Sequence, residues 1–206
     1  MEMLEFGSKS SQIILVQMVD GHDLDMIENE IASIRERTDA DFLMRVFKVK
    51  SWNNDLSPWT APAVFGKENF GGGAENTLKE VLASCGDVDR TYYIGGYSLA
   101  GLFALWSAYQ TDVFSGVAAA SPSIWFPGFT EYMNVHEIKC DAVYLSLGDK
   151  EAKARNQVMA TVADKMQEAY RLLQNKSKKC TFEWNEGNHF KEADIRTAKA
   201  FSWLLN

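Results

Sequence analysis

Apolar and polar positions along this chain fall into blocks with two different periods. Ile13–Val19 is an apolar, β-rich run that stops at the turn cluster Asp20-Gly21-His22-Asp23, which predicts a buried strand. Residues 24–37 place Ile27, Ile31 and Ile34 at helical spacing with charges on the other face, so a helix is expected there. Phe42–Val49 returns to strand character. The pattern then lapses from Lys50 to Gly73, a stretch rich in Asn, Pro, Gly and aromatics. Its length, together with Trp52, Trp59, Phe65 and Phe70, predicts a packed, functional loop.

Regular spacing resumes with a helix over 74–84 and a short buried strand at Thr91–Gly95. Residues 99–109 are almost wholly apolar and read as a buried helix. Val117–Ala120 and Ala142–Leu147 are strands, 156–174 an amphipathic helix, Cys180–Trp184 a strand and 193–205 a final helix carrying Ala198, Phe201, Leu204 and Leu205. Strands that are apolar throughout and alternate with helices predict a mostly parallel central sheet with helices on both faces. No repeat, low-complexity tract or linker divides the chain, so 1–206 is expected to form one α/β domain.

Composition narrows the function. At 206 residues with 46% hydrophobic and 24% charged side chains, the chain can build a core without metal or disulfide staples. A formal charge of −7 and the lack of a concentrated basic surface argue against a nucleic-acid partner. The one basic cluster, Lys176, Lys178 and Lys179, reads as a solvated turn between a helix and a strand. Three cysteines, Cys85, Cys140 and Cys180, give neither a disulfide framework nor a zinc pattern. The first residues lack the basic start and apolar stretch of a signal peptide, and Ile13–Val19 is too short to span a bilayer. The expectation is a soluble cytoplasmic protein with no membrane partner.

The sharpest chemical signal is Gly95-Gly96-Tyr97-Ser98-Leu99-Ala100-Gly101, placed between a strand and a helix. A nucleophile elbow needs that context, and small residues two before and two after the nucleophile, because the strand and helix backbones nearly touch there. Gly96 and Ala100 fill those positions. Ser98 would also sit at a helix N-terminus, where free N–H groups favour negative charge. A serine hydroxyl needs a base. Of His22, His136 and His189, chain order in such a fold (serine, acid, histidine) selects His189, in Glu186-Gly187-Asn188-His189-Phe190 just past a strand. His136 reads as surface, and His22 as the end of the first strand. The acid should follow the strand before the long helix, where Gly148-Asp149-Lys150-Glu151 offers two carboxylates, Asp149 and Glu151. Oxyanion donors are expected at the Leu99 backbone N–H and, from the loop after the first strand, at that of His22.

Two other clusters are set aside. Asp20, His22, Asp23 and Asp25 match no ligand spacing and read as an acidic turn with a helix cap. Gly71-Gly72-Gly73 lacks the Gly-Lys-Ser/Thr of a phosphate loop and reads as a flexible approach to a helix. No metal and no cofactor is expected.

Taken together these residues resemble an esterase family of α/β-hydrolases that includes enterochelin (siderophore) esterases, feruloyl and acetyl-xylan esterases, S-formylglutathione hydrolase and mycolyltransferases. Asp20-Gly21 is similar to the family's oxyanion loop, Asp55-Leu56-Ser57-Pro58-Trp59 to its D-x-T/S-P-W loop, and Ser121-Pro122-Ser123-Ile124-Trp125 to its S-P-S-x-W segment. The elbow, the acid loop and Gly187-Asn188-His189-Phe190 complete six motifs in order. The resemblance implies a compact α/β-hydrolase fold and a serine esterase with a Ser98–His189–Glu151 triad. Glu151 is favoured over Asp149 because such hydrolases place the acid three residues after the glycine. Ala100 departs from the usual glycine, and the N-terminal antiparallel strands are mostly missing. The short segment after Trp125 leaves no room for a lid domain, which implies an open cleft bordered by 50–73, with Trp59, Tyr97 and Trp125 as candidate walls. The implied partner is a small-molecule ester. Acyl transfer to an alcohol, or a non-catalytic binding domain on the same scaffold, remain the alternatives.

Overall fold

The computed structural model describes residues 1–176 and 179–206. Its strands are β1 (Glu2–Gly7), β2 (Ile13–Val19), β3 (Leu43–Lys48), β4 (Thr60–Ala61), β5 (Phe70–Gly71), β6 (Thr91–Tyr97), β7 (Phe114–Ala120), β8 (Ala142–Gly148) and β9 (Lys179–Asn185). Its helices are α1 (Gly21–Asp25), α2 (Ile27–Arg35), α3 (Trp52–Asp55), α4 (Ala74–Leu82), α5 (Ser98–Gln110), α6 (Phe129–Val135), α7 (Gln157–Ala160), α8 (Val162–Gln174) and α9 (Ala193–Leu205). Seven strands form one sheet in the order β1-β3-β2-β6-β7-β8-β9, while β4 and β5 pair as a separate ribbon. Only β1 runs antiparallel to its neighbour in the large sheet.

Successive strand residues point to opposite faces, so the apolar strands build two cores. Ile14, Val16 and Met18 join the larger one with α4, α5 and α8, whereas Leu15 and Val19 join the other with α2 and α9. Every residue from Leu99 to Tyr109 is buried, because α5 lies between the sheet and the 50–73 and α6 segments. This is the mostly parallel, doubly covered α/β architecture that the pattern predicts.

The differences have local causes. β1 escapes sequence reading because it is an edge strand, exposed or half-exposed throughout, whose Glu5 pairs with Arg45 of β3 at 2.9 Å. One antiparallel strand is therefore present. The helix expected over 24–37 breaks at Met26, and that over 156–174 breaks at Thr161, the caps between successive helices. The first also carries a charge inward: Glu30, three residues after Ile27, is buried with the isoleucines. The segment after Trp125 folds as α6 and packs against α8, so no lid covers the described residues.

Two other expectations change. Lys176 is no solvated turn residue: its Nζ donates to the carbonyls of Met133, Asn134 and His136, closing the C-terminus of α6. Lys179 lies 4.4 Å over the Trp203 ring, and Lys178 falls outside the described residues. The thiols of Cys85, Cys140 and Cys180 are free, and among the described residues no helix is long and apolar enough to cross a membrane.

Candidate active site

The C-terminal ends of the parallel strands lie on one edge of the sheet, and every motif singled out in the sequence follows one of them. β6 runs straight into α5, and the turn between them forces Ser98 to φ +57°, a left-handed conformation that serine adopts only at a cost. The turn is as tight as the elbow pattern requires. A Cβ added to Gly96 would meet the Ala100 Cβ at 2.8 Å, and one added to Gly101 would meet the Gly96 carbonyl oxygen at 2.8 Å. Ala100 fits because the position opposite it is glycine.

Ser98 Oγ lies 3.0 Å from His189 Nε2, and His189 Nδ1 lies 2.7 Å from Glu151 Oε2. The structure thus brings together the serine, histidine and glutamate on three different loops. Asp149 faces elsewhere: its Oδ1 accepts the Gly187 N–H at 2.7 Å and ties the histidine loop to the acid loop. The Glu151 side chain is 4% exposed and the His189 side chain 23% exposed. Burial opposes ionisation of Glu151, but the hydrogen bond and charge of His189, with further bonds from Ser121 and the Gly148 N–H, hold its carboxyl below the ordinary glutamate value.

Three residues that sequence reasoning gave no role complete the arrangement. Glu151 Oε1 accepts from Ser121 Oγ at 2.7 Å, from the Gly148 N–H at 2.7 Å and from Arg196 Nη1 at 3.1 Å. Arg196 is 1% exposed; its guanidinium also donates to Tyr97 Oη at 3.0 Å and to the Glu186 carbonyl at 2.9 Å. Its signal was present in the pattern: Arg196, Ala200 and Leu204 share one stripe of α9, and a charge on an apolar stripe needs a buried partner. Ser121 stands at φ +42° in the S-P-S-x-W segment, and Ser123 Oγ lies 3.3 Å from Ser98 Oγ.

The remaining candidates divide. Tyr97 donates its hydroxyl to the His189 carbonyl at 2.8 Å, so it fixes the histidine loop as well as lining a pocket. Burial, then the nearby Glu151 charge, pushes its phenol up to about 12, which keeps it a donor. Trp125 lines a pocket of about 440 Å³ beside Glu151 and His189, with Lys150, Lys153, Arg155, Met159 and Phe190. Trp59 packs against Phe126, Phe129 and Tyr132 and donates Nε1 to the Pro127 carbonyl, which anchors the 50–73 loop. That loop lines neither pocket flanking His189; its Phe65 and Phe70 pack against Trp125 instead.

Leu99 is the second residue of α5, and His22 lies in the first turn of α1, where backbone N–H groups have no intrahelical partner. Asp20 caps α1 in a reciprocal capping box with Asp23, which accounts for the acidic turn. No three His, Cys, Asp or Glu side chains among the described residues are grouped to hold a metal. Gly73 donates its N–H to the Asn54 carbonyl, and a side chain on Gly71 would strike Asn54, so this glycine run serves close loop packing. His136 is exposed and stacks on Tyr132.

No protein-family model and no curated protein sequence matches the chain. Solved structures do. An IroE-like serine hydrolase from Shewanella oneidensis matches with a TM-score of 0.77 at 14% identity, over 98% of this chain and 75% of the other. The siderophore hydrolase EstA from Aspergillus nidulans gives 0.69 at 16% identity, over 96% and 83%. EstB of the same organism, also a siderophore hydrolase, gives 0.68 at 18% identity, over 95% and 82%. The chain has the α/β-hydrolase fold, in the compact form it shares with these structures.

Proposed function

We propose that the protein is a serine carboxylic-ester hydrolase in which Ser98 attacks, His189 moves the proton and Glu151 orients and charges the histidine. The observation that carries this reading is the unbroken hydrogen-bonded line from Ser98 Oγ through both nitrogens of His189 to the buried Glu151. A non-catalytic binding domain has no need of such a line, or of a serine held at φ +57°.

In the proposed reaction His189 Nε2 takes the Ser98 proton as Oγ bonds to the ester carbonyl carbon. Glu151, on Nδ1, keeps Nε2 free as the acceptor and stabilises the imidazolium. The tetrahedral oxyanion is held by the Leu99 N–H and, from α1, the His22 N–H. Collapse expels the alcohol, protonated by His189, and leaves the acyl group on Ser98. A water activated by the same histidine then releases the acid. The likeness to two siderophore hydrolases, with the pocket walled by Trp125, Met159 and Phe190, supports a small ester with an apolar or aromatic part as the substrate class.

The test is a panel of chromogenic esters from acetyl upward, with feruloyl esters, glutathione thioesters and siderophore esters beside them. Ser98→Ala is expected to keep the fold and lose about 10⁴-fold or more in turnover. An organophosphonate should label Ser98 in the native protein. A label elsewhere, or normal turnover by the variant, overturns the assignment. Adding alcohol acceptors separates hydrolysis from acyl transfer by the product formed.

A further inference from the structure

A second, smaller pocket of about 200 Å³ opens between the C-terminal ends of β2 and β6. From β2 the chain adds β3 on one side, and from β6 it adds β7 to β9 on the other, so this is the point where strand order switches, a favoured place for ligands in such sheets. Phe190 lines both this pocket and the larger one, so the two flank His189. Its lining is acidic: Asp23, Glu30, Glu192 and Asp194 are all present, with His22 as the single basic group.

The deeper lining is unusual. Gln17 and Glu30 are 4% and 3% exposed. Gln17 Nε2 donates to Glu30 Oε2 at 3.1 Å, and this single bond leaves Gln17 Oε1 and Glu30 Oε1 buried without a partner among the described residues. Buried acceptors are rarely left unmet. Both side chains line a cavity whose walls carry three more carboxylates, so the group that satisfies them must bring donors, and a positive charge is favoured there. Burial above all, then Asp23 and Asp194, pushes the Glu30 carboxyl up to about 8, although the Gln17 bond pulls the other way. A cation beside it would displace that proton.

We propose that this pocket is a subsite for a primary ammonium group carried on a short arm of the ester, a reading that rests on the hydrolase assignment. A compact ammonium offers three donors, enough for Gln17 Oε1, Glu30 Oε1 and one wall carboxylate.

Calorimetric titration of the intact protein with n-butylammonium and with n-butanol tests the site without requiring turnover. The ammonium is expected to bind about tenfold or more tightly than the alcohol. Repeating the titration in buffers of different ionisation enthalpy should show a proton released. Glu30→Gln and Gln17→Leu should each shrink the preference, with circular dichroism confirming that the variants fold. Equal affinity for the two compounds, or a preference untouched by both substitutions, overturns the proposal and assigns the two oxygens to solvent. Chromogenic 6-aminohexanoate and heptanoate esters, and the matching aminoalkyl and alkyl esters, then give kcat/KM ratios. A ratio above one on either arm supports the subsite. Turnover of the neutral esters without any preference for the cationic ones overturns the subsite and leaves the hydrolase reading standing. Ammonium binding with no ester turned over overturns the hydrolase reading alone.

Discussion

Glu151→Gln isolates what the acid contributes, because the structure dictates which way the new amide must face. Oε1 sits among three donors: Ser121 Oγ, the Gly148 N–H and Arg196 Nη1. An NH₂ group there would oppose all three, so the amide oxygen takes that place and the NH₂ turns to His189 Nδ1, 2.7 Å away in the native protein. Nδ1 must then accept, which moves the histidine proton to Nε2 and points it at Ser98. The base is lost although the packing is kept. A wrong-tautomer amide in such a triad costs about 10⁴-fold in kcat, or about 5 kcal/mol of barrier. The assay is kcat and KM on a chromogenic ester at several pH values, with thermal melting as the control for folding. Asp149→Asn is the internal reference, since an asparagine oxygen can still accept the Gly187 N–H. A Glu151→Gln loss below about tenfold, or a larger loss for Asp149→Asn, refutes the reasoning.

Arg196→Met should destabilise the fold by about 3–5 kcal/mol, because it leaves the buried Glu151 without its cation. Arg196→Lys should not restore full turnover, since one ammonium cannot replace the fork that reaches Tyr97, Glu151 and Glu186; melting and kcat measured together check both. Gly96→Ala places a methyl 2.8 Å from the Ala100 Cβ, and is expected to cost about 1–3 kcal/mol in denaturant unfolding. It should also lower turnover by shifting Ser98. Glu30 has a folded value of about 8, above the ordinary glutamate value of 4.5, so the stability its protonated form contributes is fully present below the unfolded value and is lost as pH rises through 8. Glu30→Gln removes that loss, so urea unfolding should show the variant gaining on the wild type between pH 5 and 9. A parallel pH dependence for the two proteins sinks this reading.

The local features of this protein were legible in the chain because they rest on short-range rules. Apolar strands alternating with helices define a doubly covered parallel sheet, and the elbow declares itself through Gly96, Ser98 and Ala100 at fixed spacing. Chain order pointed to His189 rather than His22 or His136, and it is the His189 ring that the fold sets between Ser98 Oγ and Glu151. What the chain does not display is partnership across long separations. Glu151 and Asp149 are two carboxylates on one loop, and only the folded path of that loop turns one to His189 and the other to Gly187. Arg196 looks like a polar residue in a helix until α9 docks beside β6 to β8 and buries it against Glu151. Trp59 gains Phe129 and Tyr132 of α6 as ring neighbours only in the fold, and Glu30 looks like a solvent-facing charge until α2 lies on the sheet over Gln17. A side chain's surroundings belong to the segments that pack on it. A lone sequence encodes those surroundings only through the whole fold, so burial, charge partners and the direction of each hydrogen bond were decided by tertiary structure.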